Sequence, residues 1–438
     1  MEDTKKLGDD YSLSRVPKSA RLPMWDIMLV RVGALATLSQ FMLGAALGYG
    51  MTFWQAFWAM FLGSVILQGI SFLIGYAGAR EGLSTSLLSR WTGFGRYGST
   101  IIGIVIAICT IGWFGVQNSV FANGLVQATG GKLILPVSAA ITGMGVTVLV
   151  IFGFKLLSMT AKIAVPAFLL VVGFGIYQVL SDYSVMSLIG TPPPGEALSL
   201  GVGATMVAGG FMIGAVITPD FSRFARNGKD VFWMTTIGTI VGEMGVGMVA
   251  VLMAHAAKTN DVVSIMLQTS GWLGAAVVVF STIKINNLNL YSSSLGFTNI
   301  IDSLFKVKVN RAIVTLVIGV IGTVLSIMGI LDRFVGFLVL LGIMIPPIAG
   351  IMVVDYFVLK TYRKALDESR EKGTLPAEPE KINPITLVAW ATGFGGGYFI
   401  SVGIPSINSL LISGIVYYVG VLTVKAFQGK KELKGKVA

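Results

Sequence analysis

Residues 200–219 read LGVGATMVAGGFMIGAVITP. A helix needs about 20 mostly apolar residues to cross a bilayer, and this run carries no charge, so it reads as a membrane-spanning helix. Its middle is weak helix: Gly209 and Gly210 stand side by side, Gly214 follows, and each glycine costs about 1 kcal/mol relative to alanine. A spanning helix interrupted at mid-depth exposes amides and carbonyls that hold a substrate or an ion. Small residues also serve close helix packing, and both readings of these glycines stand.

The same ruler, moved outward, finds eleven further runs: 24–48, 52–78, 98–126, 135–154, 160–180, 231–255, 268–300, 312–331, 334–359, 384–403 and 406–427. Backbone groups in lipid must bond within their own segment, so these are helices. The expected fold is an all-α polytopic membrane protein with about twelve transmembrane helices. Composition agrees. Charged residues make up 12% of the 438 and hydrophobic ones 54%, with mean hydropathy +0.80, whereas soluble domains carry about 25% charged residues. Residues 1–20 are polar and the first apolar run is too long for a signal peptide, so no cleaved leader is expected.

The net charge of +11 would suit nucleic acid, but its placement does not. With the amino terminus inside, 27 of the 32 Lys and Arg fall on the inner side. Only Lys132, Lys258 and Arg333 fall outside. That asymmetry predicts a multi-pass protein of the cell membrane with both termini cytoplasmic. The expected partners are the lipid bilayer and a small solute, not nucleic acid; no signal sets an oligomeric state. The organisation follows as a cytoplasmic tail (1–23), spans one to five (24–180), spans six to ten (181–359), a charged cytoplasmic loop (360–383) read as a solvated linker, spans eleven and twelve (384–427), and a tail (428–438).

Polar groups inside a membrane need a partner or a purpose. Span one holds Ser39 and Gln40 beside Gly33, Ala36 and Gly44. Span six lies five after span one, and two inverted five-helix repeats would place interruptions in both at one midplane site. Span three holds Trp113 and Gln117, four apart and so on one face: a stacking surface beside an amide suits a flat heterocycle with mixed donors and acceptors. Span eight holds Ser281, Thr282, Lys284, Asn286, Asn287 and Asn289, either lining a polar cavity or bonding between helices. Lys284 needs a carboxylate, carbonyls, water or deprotonation. Glu243, midway through span seven, has the opposite need, and a buried Glu243–Lys284 pair is the simplest expectation, structural or proton-coupling. Arg31, Asp26 and Asp220 read as anchors or gate residues near the inner helix ends, and His255 as an interface residue. One cysteine, Cys109, and one histidine build no metal site, and no cofactor is expected. Isolated carboxylates form no catalytic constellation, and no repeated filter suggests a channel.

Several strings resemble the nucleobase–cation symporter family of cytosine permeases, hydantoin transporters and fungal purine–cytosine permeases. They are Asp10-Tyr11-Ser12-Leu13 with Val16-Pro17; Gly112-Trp113-Phe114-Gly115-Val116-Gln117; Pro219-Asp220-Phe221-Ser222-Arg223-Phe224; and Asn286-Asn287 with Tyr291-Ser292 and Ser294-Leu295-Gly296-Phe297. The resemblance implies a leucine-transporter-like fold, a 5+5 inverted repeat plus two helices. It implies import of a planar nucleobase or related heterocycle by alternating access. Trp113 would stack on the ring, Gln117 would bond its edge, Gly210 and Phe211 would serve its other face, and Asn286 would read it, with Asn287, Asn289 and Gln40 as further contacts. Gln117 is similar to the hydantoin transporters, and Ile213 stands where cytosine permeases carry serine. Hydroxymethylpyrimidine, hydantoin and allantoin fit the same reading. Sodium-coupled members carry two hydroxyl residues immediately before the span-eight asparagine. Here these are Lys284 and Ile285, which offer a hard cation no oxygen. Proton coupling through Lys284 or Glu243 is therefore expected, with sodium held by Ser281 and Thr282, or facilitated diffusion, as alternatives.

Overall fold

The computed structural model describes residues 11, 14–152, 155–305, 307 and 309–435. Asp10, Ser12 and Leu13 of the first string, with Lys306 and Lys308, lie outside the described residues. Each of the twelve apolar runs is helical among those described. Six helices are long and apolar enough to cross a membrane, and a bent pair makes a seventh. Leu135–Ile151, Phe168–Asp182, Leu200–Val216 and Arg311–Ile327 are shorter apolar helices.

Span one is that bent pair, Met24–Leu35 and Leu38–Gly50, meeting at 50°. The break falls at Ala36 and Thr37, not at a glycine. Thr37 is extended (φ −132°, ψ 167°), and its carbonyl accepts from Gln40 N and Phe41 N to start the second half. Gly44 serves packing: a Cβ there would lie 2.3 Å from the Gly247 carbonyl oxygen of span seven.

Span six is interrupted beside its glycine pair, where expected. It runs Leu200–Val216, and the residue that leaves helical geometry is Phe211 (φ −128°, ψ 16°). Gly209 instead admits span ten, since a Cβ would lie 1.9 Å from the Leu338 carbonyl oxygen. Span seven, Gly228–Ala257, widens into a π-helical turn over Gly238–Gly245. Span eight runs Val262–Phe305 and turns at Gly271 (φ 58°).

A shift of five along the spans exchanges the helix pairings. Span two lies along span six, and span seven lies along span one. Spans three and eight pack on each other, as do spans four and nine. Spans eleven and twelve pair and lean on span ten.

The charged loop is not a free linker. Arg363–Glu371 is a helix, and residues beyond it dock on the start of span three: Arg96 N donates to Glu380 O, Tyr97 N to Lys381 O, and Trp91 Nε1 to Ala377 O. Glu81, buried at the end of span two, gathers the cluster. Its carboxylate accepts from Arg15 (3.1 Å), Arg370 (2.9 Å) and the Tyr356 hydroxyl (2.7 Å). Arg15 also donates to Ser369 Oγ and to the Thr374 and Leu366 carbonyls. A charged loop is held because each buried charge finds several partners.

Candidate functional site

Trp113 is buried in span three and fixed by span ten. Phe337 and Phe334 meet its ring edge-on, with centroids 5.4 and 6.1 Å away. Gly112 makes the room, because a Cβ would come within 2.5 Å of the Phe337 ring. One turn on, Gln117 is fully buried. Its Nε2 donates to Ser39 Oγ of span one at 2.8 Å, while Oε1 has no partner. Gln40, the next residue of span one, donates from Nε2 to the Glu243 backbone carbonyl at 3.1 Å.

Span eight supplies the least satisfied groups. Asn286 is fully buried, and neither atom of its amide has a hydrogen-bond partner. Asn287 Oδ1 and Ser281 Oγ are likewise buried and unpartnered. Thr282 turns its hydroxyl into its own helix, onto Val279 O at 2.7 Å. Asn289 is half-buried. Buried polar groups are nearly always bonded in native proteins, so a run of exceptions marks a working surface.

Lys284 lines a cavity of about 20 Å³ with Ala36, Thr37, Leu38, Phe168, Ser281 and Ile285. The carbonyl end of the first half-helix of span one, the negative end of its dipole, closes beside the lysine. No Glu243–Lys284 ion pair exists among the described residues. The charge that acts on Glu243 is Arg31. Glu243 lies in the π-helical turn against span one, where Gly242 packs on Leu35 and Gly238 on Arg31. Neither carboxylate oxygen has a hydrogen-bond partner, and the nearby Ser64 hydroxyl does not reach bonding geometry.

Arg31 is no interfacial anchor: it is 2% exposed. It donates to Gly214 O of span six (3.0 Å) and Ser71 Oγ of span two (2.8 Å), and its guanidinium covers the Phe211 ring at 4.7 Å. Phe211 therefore faces Arg31, and no ring contact joins it to Trp113 among the described residues. Gly210 lies across from Leu43. His255 is buried between the Leu188 and Met51 carbonyls rather than at an interface. Asp220 accepts from Thr85 N at 2.8 Å, tying spans six and three. A second cavity, about 180 Å³, opens between spans one and three and the connections that follow spans seven and nine. It reaches Met42, Asn123, Asp261 and Phe334, and Phe334 touches Trp113.

With this geometry in hand, the match to known proteins is specific. Residues 15–409 fit the family described as permease for cytosine/purines, uracil, thiamine, allantoin. The chain belongs to this permease family. Cytosine permease of Escherichia coli (strain K12) is 28% identical over 412 residues, covering 94% of each chain. Among solved structures, the inward-facing conformation of Mhp1 superposes with TM-score 0.80 at 16% identity, over 94% of this chain and 93% of that one. Mhp1 in a closed conformation with bromovinylhydantoin bound, described as a nucleobase-cation-symport-1 family transporter, gives 0.73 at 17% identity over 95% and 96%. The fold is leucine-transporter-like, and the chain is a multi-pass membrane permease, not an enzyme.

Sequence reasoning passed over Phe334 and Phe337, since aromatics in an apolar span carry no distinguishing signal. It placed Ser39 in span one without pairing it to Gln117. Its neighbour Gln40 was the available sign that span one turns a polar edge inward.

Proposed function

We propose that this permease imports a planar, amide-bearing heterocycle of the nucleobase or hydantoin class by alternating access, coupled to protons rather than sodium. The observation that carries the substrate class is the set of buried, unbonded amide atoms on Gln117, one turn from Trp113, and on Asn286 of the span packed against it. A flat ring stacks on Trp113. Gln117 Oε1, its amide nitrogen held by Ser39, accepts an N–H from the ring edge. Asn286 offers a donor and an acceptor together, matching the N–H/C=O or N/NH₂ edge of a base. Gln40, Asn287 and Asn289 border this edge. Phe211 covers the second ring face once it leaves Arg31, with Gly210 giving it backbone room. The packed group of spans one, two, six and seven then moves against spans three, four, eight and nine about the site.

The coupling reading rests on Lys284. Its side chain lines the water-sized cavity beside the broken span one and, when protonated, brings a positive charge there itself. Thr37 and Ser281 are the hydroxyl residues lining that cavity, and a sodium site would depend on them. Glu243 is the carboxylate available to a proton, with Arg31 as its counter-charge. Proteoliposome uptake of radiolabelled cytosine, adenine and hydantoin under separately imposed sodium and pH gradients tests both parts. Accumulation driven by an inward proton gradient, unchanged by sodium, is expected. Strong sodium dependence at neutral pH refutes the coupling, and no uptake of any flat heterocycle refutes the substrate class.

A further inference from the structure

Away from the transport path, a cavity of about 450 Å³ opens where the amino-terminal segment crosses the ends of spans two and seven. Four cations line it: Lys18 and Arg21 from that segment, Arg80 from span two, and Arg226 from the connection to span seven. Arg80 is already paired with Asp367 at 3.1 Å and lies 3.8 Å from Glu81. Lys18, Arg21 and Arg226 form no ion pair among the described residues. Arg21 is fixed in place, donating to the Ala79 and Ala225 carbonyls, yet its Nε is buried with no partner. Gly228, the first residue of span seven, forms one wall, so the positive end of that helix adds to the field. Tyr76 forms another.

The level of the cavity narrows its occupant. Trp25 and Trp233, within the first two turns of spans one and seven, are 61% and 51% exposed. Exposed tryptophans at helix ends mark the lipid headgroup layer, and basic pockets between helices at that depth hold anionic headgroups. We propose that this cavity binds the phosphate of an anionic phospholipid, which ties the amino-terminal segment to spans two and seven.

Purified full-length protein in neutral detergent tests the proposal. Short-chain phosphatidylglycerol, phosphatidylcholine and inorganic phosphate are titrated separately against the wild type and K18Q/R226Q. Thermal stability and bound lipid by native mass spectrometry are read. Both substituted side chains are exposed, and Arg21 is kept because it also holds backbone. Phosphatidylglycerol alone should stabilise the wild type, and removal of two surface cations should weaken its binding on the order of 30-fold. Equal effects of phosphatidylcholine, or no difference between wild type and K18Q/R226Q, overturn the proposal. An equal effect of inorganic phosphate assigns the site to a free anion and overturns the lipid.

Discussion

Two glutamates, Glu81 and Glu243, are buried to the same degree and treated in opposite ways. Glu81 closes one end of the bundle with three hydrogen-bond donors on its carboxylate. Glu243, at mid-depth, has none on either oxygen and only the charge of Arg31 nearby. The first arrangement is what a fixed structural joint requires, because a buried charge costs several kcal/mol unless it is fully bonded. The second is a group held short of its partners, as are Asn286 and Gln117 Oε1 a few helices away. The fully bonded Glu81 cluster holds the docked loop, whereas Gln117 Oε1, Glu243 and Asn286 stay unbonded in spans three, seven and eight, the spans proposed to carry substrate and proton.

The sharpest way to break this contrast is to remove each carboxylate. Glu81→Ala strands Arg15 and Arg370 and should cost about 3–5 kcal/mol of stability, seen as a large fall in Tm. Glu243→Gln should leave Tm unchanged or raised while flattening the pH dependence of uptake. Equal destabilisation by both would erase the distinction. Asn286→Leu comes next: lost hydrogen bonds of about 1–3 kcal/mol should weaken substrate binding roughly 10- to 100-fold, with no loss of stability of the free protein. Trp113→Ala should lower affinity by at least the stacking contribution of about 0.5–1.5 kcal/mol, and binding titration checks it. The smallest effect belongs to Asp367. Partial burial works to raise its pKa, but the hydrogen bond and charge of Arg370, with the charge of Arg80, hold it below the ordinary carboxylate value. Its contribution is therefore present above the usual carboxylate range and is lost as pH falls through the lowered value. The group is exposed enough that solvent screening limits it to about 1 kcal/mol. Asp367→Asn should remove a small part of the acid sensitivity of Tm and nothing at neutral pH from transport.

Most of the fold was legible, because a bilayer imposes length and apolarity on every span and the resemblance supplied the repeat. The two broken spans were legible to within a residue or two: the breaks fall at Ala36 and Thr37 in span one and at Phe211, next to Gly210, in span six, while Gly209 and Gly44 are held by neighbouring backbone passing close. Residue types with buried polar atoms, Gln117, Asn286 and Glu243, stood out because they are rare in such segments. Their partners did not. Which cation faces Glu243 depends on how the first half of span one lies against the π-helical turn, and no periodicity in the sequence encodes that crossing. Likewise the loop of residues 360–383 reads as solvated from its charge, and only the convergence of Arg15, Arg370 and Tyr356 on Glu81 shows why it docks.

The central claim is that unbonded amides beside Trp113 await a flat ring. Thermal shift of purified wild type and Asn286→Leu against cytosine, adenine, hydantoin and allantoin tests it most directly. The account predicts that at least one of these raises the Tm of the wild type and leaves the variant unmoved. A panel that stabilises neither protein, or both alike, contradicts it.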